Sequence, residues 1–257
     1  MACDVRCDLR GHVAVLTIDN PPVNALHPDV AELLLAQLQR IADDPDVRVA
    51  VITGAGRHFV AGGDIHYFRT LDPFRAERYV LRIQAMQDAI ATMPQPVLAA
   101  INGTCLGGGC ELALACDIRI ADPGAIFGQP EVTLGIIPGA GGTQNLPRLI
   151  GIGQAKRLIF TGDRIDAGRA RELGLVEEVA AAGEALDHAV ALAERISRNA
   201  PIAVAAAKRA IDVGLQSSVL DGHRLEAALF APLTGTEDFN EGVAAFIDRR
   251  DPEFHRR

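Results

Sequence analysis

The chain has 257 residues, of which 49% are apolar and 23% are charged, a balance that excludes a disordered polypeptide or a disulfide-rich miniature and allows a large core. Its 25 Lys and Arg residues against 33 Asp and Glu residues give a net charge of −8, which argues against broad binding to nucleic acid or an anionic membrane. Five cysteines without a CxxC pair, and the lack of an apolar leader or spanning segment, predict a reduced, cytoplasmic protein without a metal site.

The first half of the chain alternates short β-branched segments with segments of helical periodicity. One apolar helix face is predicted from the spacing of Val30, Leu33, Leu34, Leu38 and Ile41, and a second helix is predicted over Arg75–Met93. Strands alternating with helices favour an α/β architecture with largely parallel pairing. The predicted strands are Val13–Ile18, Val49–Thr53, Val97–Ile101 and Ile118–Ala121.

From about Pro138 onward the pattern becomes almost entirely helical. Breaks are predicted at Gly151, Gly162, Gly174 and Pro201, and Leu175–Val179 is the one short strand expected in this part. We therefore expect an α/β core over residues 1–195 that carries the functional site, followed by a helical arm over residues 196–257. In the last helix, Phe239, Val243 and Phe246 share one face, and the basic pair Arg249 and Arg250 follows.

Glycine is concentrated at residues 61–64, 107–109 and 139–142. Nucleotide-binding loops do not explain this: Phe59 occupies a glycine position of the dinucleotide fingerprint, and Gly139–Gln144 lacks the Gly-Lys-Ser/Thr ending of a P-loop. Glycine also lets backbone N–H groups approach a substrate carbonyl oxygen, and Gly107–Gly109 precede a helix whose first N–H groups are free to bind an anion. A tight turn in which glycine only permits packing remains the alternative.

Two glutamates are candidates for proton transfer. Glu111 lies in the first turn of the predicted helix among apolar residues, and Glu131 follows Pro130, where a solvated loop residue is the ordinary expectation. Two carboxyl groups that converge on a cavity can act as general base and general acid when the environment keeps one of them protonated. Twenty residues separate them, so the residue pattern leaves their convergence open.

The chain resembles the enoyl-CoA hydratase/isomerase, or crotonase, superfamily in a series of motifs that occur in the family's order. The resemblance spans essentially the whole chain, and the combination is far more specific than any one glycine cluster. The matching segments are Asn20–Leu26, Phe59–Ile65, Ala99–Gly103, Leu106–Leu112, Phe127–Glu131 and Pro138–Gln144, and then Phe160–Ile165 through Gly174–Val176.

This resemblance implies a crotonase-like spiral of ββα units with a C-terminal helical trimerisation arm, and a homotrimer or homohexamer. It implies that the N–H groups of Gly63 and Gly108 form an oxyanion hole for a thioester oxygen. Glu111 would deprotonate water for attack at C3, and Glu131 would supply a proton at C2. The segment Ala61–His66 (Ala61, Gly63, Asp64, Ile65 and His66) would line the path of coenzyme A, which belongs to the substrate, so no separate cofactor is expected.

Hydration of a trans-2-enoyl-CoA to 3-hydroxyacyl-CoA is the function that this resemblance favours, because hydratases carry both glutamates. Δ3,Δ2-enoyl-CoA isomerisation, another crotonase-type reaction, and non-catalytic binding of acyl-CoA are the alternatives. His66 stands where relatives often have lysine, so Arg249 and Arg250 are candidates to hold the phosphates of coenzyme A, with a solvated charge pair as the alternative. Asp64 is expected to cap the following helix rather than to touch substrate.

Overall fold

A computed structural model describes residues 3–257. The strands are β1 (Asp4–Arg10), β2 (Val13–Asp19), β3 (Val49–Gly54), β4 (His58–Val60), β5 (Val97–Ile101), β6 (Thr104–Leu106), β7 (Ile118–Ala121), β8 (Ile126–Gly128), β9 (Arg164–Asp166) and β10 (Glu178–Val179). The helices are α1 (Pro28–Asp43), α2 (Ile65–Phe68), α3 (Pro73–Thr92), α4 (Gly108–Ala115), α5 (Gly142–Ile150), α6 (Ile152–Thr161), α7 (Ala167–Leu173), α8 (Ala185–Ser197), α9 (Pro201–Gly214), α10 (Val219–Leu233) and α11 (Glu237–Asp248).

The strands form two sheets through which the chain passes repeatedly. The larger sheet has the order β1-β2-β3-β5-β7-β10, and the smaller has the order β4-β6-β8-β9. Strands β3, β5 and β7 pair in parallel in the first sheet, and β4, β6 and β8 pair in parallel in the second. Each turn of the chain therefore adds one strand to each sheet before the next helical segment, which is the predicted spiral of ββα units.

The two sheets and helices α1, α3 and α4 enclose the main hydrophobic core. Its largest fully buried side chains include Phe59, Phe127 and Met86. The central strands β3 and β5 are buried along their whole length, as expected for parallel strands covered on both faces. Because β4 and β6 are parallel neighbours, the loops that follow them emerge at the same edge of the smaller sheet, and this edge holds the candidate site.

Most of the predicted elements are confirmed, and the differences have physical reasons. The four predicted strands agree with β2, β3, β5 and β7, and Arg75–Met93 agrees with α3. Only Glu178–Val179 of the strand predicted over Leu175–Val179 is extended. Leu33 is 38% exposed although it was placed on the buried face of α1. Strand β1, at the sheet edge, buries only Val5, so it has no continuous apolar segment to predict it. The strands β4 and β6 of the smaller sheet have three residues each, which is too short to show a period.

The predicted C-terminal helices are present as α9, α10 and α11, and the division at residue 195 stays a prediction. No helix within residues 3–257 is both long enough and apolar enough to cross a membrane. The arm is attached to the core through Lys208 of α9, a buried lysine whose Nζ donates to Asp117 Oδ2 at 2.9 Å and to the carbonyl oxygens of Ile90 and Gln95 at 2.8 and 3.1 Å.

We expect Lys208→Met to lower the free energy of unfolding by about 2 to 4 kcal/mol, because removing one member of a largely buried ion pair leaves the other charge uncompensated. Asp117 retains some solvent contact, which keeps the expected loss below that of a fully buried pair. Urea denaturation measures this change. The only other lysine of the chain, Lys156, is exposed, so Lys156→Met is the matched control, and an equal loss in both variants would contradict the assignment.

Candidate active site

The site lies in an open cleft of about 2110 Å³. Its walls include the loop between β4 and α2, the start of α4, one face of α3, the segment from Pro130 to Gly141, and part of α9 around Lys208. This volume exceeds the usual range for small-molecule pockets, roughly 300 to 1,000 Å³, so the cleft has room for an extended ligand.

The loop after β6 leads into α4 through glycine residues, which have no side chains. Gly107 has φ of +50°, a conformation that favours glycine. A Cβ atom at this position would lie 2.9 Å from Glu131 Oε1, so glycine also leaves room for the Glu131 carboxylate. Gly108 begins α4, so its N–H group has no partner inside the helix. Within residues 3–257 this N–H group donates to no acceptor of the protein, which leaves it available to a ligand.

The loop after β4 brings a second free N–H group to the same place. Leu26 N donates to Gly62 O at 2.8 Å, and Tyr79 Oη donates to Leu26 O at 2.9 Å, so this loop is anchored from both sides. The nitrogen of Gly63 lies 3.9 Å from the position that a Cβ would take on Gly108. The part of the chain that the structure describes contains no acceptor for Gly63 N–H either. Because the backbones of Gly63 and Gly108 adjoin, their two N–H groups can share one ligand oxygen.

Glu111 is 3% exposed and lies in the first turn of α4. Its Oε1 atom accepts hydrogen bonds from Ala140 N at 2.8 Å and Gly142 N at 2.9 Å, at the start of α5. Burial raises the pKa of Glu111, while the Gly142 and Ala140 donors act in the opposite direction. The carboxylate is thus fixed through one oxygen, and the cleft wall includes this residue.

Glu131 begins a 3₁₀ turn (Glu131–Leu134) on the other side of the cleft. The pKa of this carboxyl group is raised to about 7: burial is the largest cause, its own backbone N–H acts in the opposite direction, and the negative charge of Glu111 adds to the rise. The two acids therefore act on each other electrostatically and titrate as a pair. A group with a pKa near neutrality can both give and take a proton.

Gln129 supports Glu131 and was not identified as a site residue from the sequence. It is fully buried, and with its amide oriented to match its neighbours, the side-chain nitrogen donates to Glu131 Oε1 at 2.9 Å and Oε2 at 3.1 Å. Ala140 and Gly142 were quoted only as part of a glycine-rich segment, and their role as donors to Glu111 was also missed. The two contacts to Glu111 span 29 and 31 residues of sequence and leave no local pattern.

Among the predicted binding residues, Ala61, Gly63 and Ile65 line the cleft with Gly108, whereas Asp64 and His66 do not. The expected capping role of Asp64 is confirmed, because its Oδ1 accepts from the backbone N–H groups of His66 and Tyr67 at the start of α2. His66 is exposed beside the cleft.

The terminal arginines lie away from these walls. Arg250 binds both carboxylate oxygens of Glu241 at 2.6 and 2.8 Å, and Arg249 ends α11 with a positive φ. The role proposed for them in phosphate binding therefore has no support from the cleft of this chain. Within residues 3–257, no three His, Cys, Asp or Glu side chains are grouped so that they could hold a metal ion.

Taken together, the cleft offers two N–H donors for a developing oxyanion and two carboxyl groups that face the same space. One carboxyl group is fixed by backbone donors, and the other has a pKa near neutrality. Such a site can polarise a carbonyl compound, accept a proton from water and deliver a proton to carbon.

Comparison with known proteins agrees with this chemistry. A family model described as "Enoyl-CoA hydratase/isomerase" matches residues 8–257. The short-chain-enoyl-CoA hydratase of Clostridium acetobutylicum is 40% identical over 252 residues, covering 97% of each chain. The crotonyl-CoA hydratase of Syntrophomonas wolfei is 42% identical over 244 residues, covering 94% of each. The crystal structure of an enoyl-CoA hydratase from Bacillus anthracis superposes with a TM-score of 0.96 at 41% identity and covers 99% of this chain and 100% of that one.

Proposed function

The chain belongs to the enoyl-CoA hydratase/isomerase family, and from this premise we propose that it is a hydro-lyase that adds water across the 2,3 double bond of a trans-2-enoyl-CoA. The product is a 3-hydroxyacyl-CoA. The observation that carries this proposal is the presence of two carboxyl groups, those of Glu111 and Glu131, in one cleft beside two free glycine N–H groups.

In this reaction the thioester oxygen accepts hydrogen bonds from Gly63 N–H and Gly108 N–H. These bonds draw electron density from the conjugated system and make C3 electrophilic. Glu111, held as a carboxylate by Ala140 and Gly142, takes a proton from water as its oxygen attacks C3. Glu131 delivers a proton to C2 of the resulting enolate, which restores the thioester. The product then carries the hydroxyl group of water on C3 and the proton from Glu131 on C2. Glu111 releases the proton taken from water to solvent, and Glu131 takes one up, before the next cycle.

A comparison of substrates tests this function against the alternatives. Crotonyl-CoA and a 3-enoyl-CoA are supplied in parallel, with loss of the ultraviolet absorbance of the conjugated thioester reporting hydration and its gain reporting isomerisation. We expect hydration of crotonyl-CoA to dominate, because isomerisation needs only one proton-shuttling carboxyl group. Turnover of the 3-enoyl compound alone would identify an isomerase, and tight binding without turnover would identify a binding protein.

The activity is expected to fall on both sides of neutrality. Glu131 must be protonated to act as the acid, so kcat/KM for crotonyl-CoA should decline as the pH rises above about 7. Glu111 must be ionised, so the rate should decline again in acid, and the two apparent values belong to the coupled pair. A pH series of initial rates in buffers of constant ionic strength measures this, and a rate that keeps rising through pH 9 would contradict the roles.

Replacement of Gln129 is expected to show whether this residue positions the Glu131 carboxyl group without contributing to substrate binding. Gln129→Met keeps the side-chain length but removes the N–H donors to Glu131, so kcat should fall about tenfold with little change in KM. Losing donors to the ionised form also raises the pKa of Glu131, which moves the alkaline decline to higher pH. Gln39→Met, at an exposed position on α1 outside the cleft, is the control. A loss of rate without the pH shift would indicate a purely structural role.

The segment Ala61–His66 is proposed to line the path of coenzyme A, since Ala61, Gly63 and Ile65 adjoin the free N–H groups. Coenzyme A enters as part of the substrate, and no further cofactor is required by the steps above. The cytoplasmic location stays a prediction.

A homotrimer or homohexamer is proposed for the assembly. Large apolar side chains on α10 and α11 support this, among them Val219, Phe230 and Phe246, which are 76%, 66% and 87% exposed in the single chain. The mass of the particle by light scattering distinguishes three subunits from six.

A further inference from the structure

The cleft contains a polar side chain that the hydration steps do not use. Gln87 lies on the face of α3 that lines the cleft, is 6% exposed, and has no hydrogen-bond partner for its Nε2 atom among the described residues. Burying an amide group without a partner is costly, and such groups are rare in folded proteins. This position therefore calls for an acceptor from outside the chain.

A nearby glutamine shows that the absence of a partner is not general on this face. Gln84, one turn earlier on α3, donates from Nε2 to Gly139 O at 2.8 Å and so ties the helix to the loop before α5. Gln87 lacks such a contact although it lies against the same loop. Of these two glutamines on the cleft face of α3, only Gln87 therefore has a side-chain nitrogen without a partner.

The surroundings place this amide beside the reacting groups. Gly141 has φ of +94°, and the amides of two side chains pack against its Cα. A Cβ atom on Gly141 would lie 3.2 Å from Gln87 Oε1 and 3.0 Å from Asn145 Nδ2. The residues on either side of Gly141 are Ala140 and Gly142, which donate to Glu111. The Gln87 amide therefore adjoins the segment whose backbone N–H groups fix the Glu111 carboxylate, within the same cleft.

We propose that Gln87 is a specificity-determining residue that selects 2-enoyl thioesters whose acyl chain carries an oxygen acceptor beyond the double bond. This inference rests on the proposed hydratase function and names its substrate class. The terminal torsion of a glutamine is broad, so Nε2 can turn toward the cleft and donate to a ketone, ester or carboxylate oxygen of the acyl chain. A plain alkyl chain in the same place buries the amide and satisfies nothing.

Three substrates with six-carbon acyl chains test the proposal. We expect kcat/KM to be about 10-fold higher for 2-hexenedioyl-CoA and for its terminal methyl ester than for 2-hexenoyl-CoA, because a site with a buried donor discriminates against an analogue that lacks the acceptor. Gln87→Met, which keeps the length of the side chain, should remove or reverse this ratio. Gln84→Met is the matched control and should leave the ratio unchanged, since the amide of Gln84 is already bound within the protein.

The outcomes distinguish failure of this inference from failure of the function. If crotonyl-CoA is not hydrated by the unaltered protein, the proposed function fails. If crotonyl-CoA is hydrated but the hexenoyl and hexenedioyl compounds react equally, or the preference survives Gln87→Met, the selecting role of Gln87 is overturned. A preference for the free acid alone that persists in Gln87→Met would assign selection to charge, for which Arg148 in the cleft wall is a candidate. Thermal denaturation of each variant shows whether it folds.

Discussion

Glu131→Gln is expected to lower the turnover of crotonyl-CoA by at least about 10³-fold while leaving the fold intact. A glutamine is nearly the same size and fits beside Gln129, whose amide can turn to present its oxygen. It has no proton to give at neutral pH, so the enolate formed after attack at C3 is not quenched at C2, and general acid catalysis of this kind contributes about 10² to 10⁴. Initial rates with crotonyl-CoA measure the loss.

The stability of this variant provides an independent check. Burial raises the pKa of Glu131 above its unfolded value, so the folded state favours the protonated form, and the stability this gives is lost as the pH rises through about 7. Replacing the acid by a neutral amide should therefore make the protein more stable at pH 8 by about 1 to 2 kcal/mol, a figure reduced for partial solvent contact. At pH 4 the gain should vanish.

Glu226→Gln, on exposed helix α10, controls for the loss of one negative charge. Near-full hydratase activity in Glu131→Gln would refute the role of Glu131 as the acid. Loss of activity together with loss of stability at pH 8 would show a folding defect instead.

The sequence alone was sufficient for the repeating part of the fold. Strands such as Val97–Ile101 are buried on both faces and read as continuous apolar runs, and a 20-residue helix such as α3 has enough turns to show its period. The strands of the smaller sheet have three residues each, which is too short for alternation to be visible. Their existence depends on neighbours such as β4 and β6 being aligned by the helices between them.

Only part of the candidate site could be predicted from the sequence. Glycine at 63 and 108 and glutamate at 111 and 131 could be named from their motifs, but the convergence of the two acids could not, because it depends on β6 and β8 lying side by side. The expectation that Glu131 is an ordinary solvated residue is not met, since the cleft withdraws it from water. The partners of Glu111 lie 29 and 31 residues away, and no local pattern encodes them.

Glu111→Gln should lower the rate of hydration about as strongly as Glu131→Gln. Unlike Glu131→Gln, it should retain the exchange of C2 protons with solvent. The glutamine oxygen can still accept from Ala140 N and Gly142 N, which keeps the loop before α5 in place. The side-chain amide cannot take a proton from water, so attack at C3 should slow by about 10² to 10⁴. Glu194→Gln, at an exposed position on α8 outside the cleft, is the control for charge.

Exchange of the C2 protons of a saturated thioester separates the two roles. In deuterated water, Glu131 as carboxylate takes a C2 proton from butyryl-CoA, and the Gly63 and Gly108 N–H groups stabilise the enolate. The carboxyl proton of Glu131 then exchanges with the solvent, and a deuteron is returned to C2. No water attacks carbon in this exchange, so Glu111→Gln should retain most of it, whereas Glu131→Gln should lose it. Proton NMR of the C2 position measures the exchange. Equal loss of exchange in both variants would show that the two carboxyl groups act as one unit, so that separate roles cannot be assigned to them.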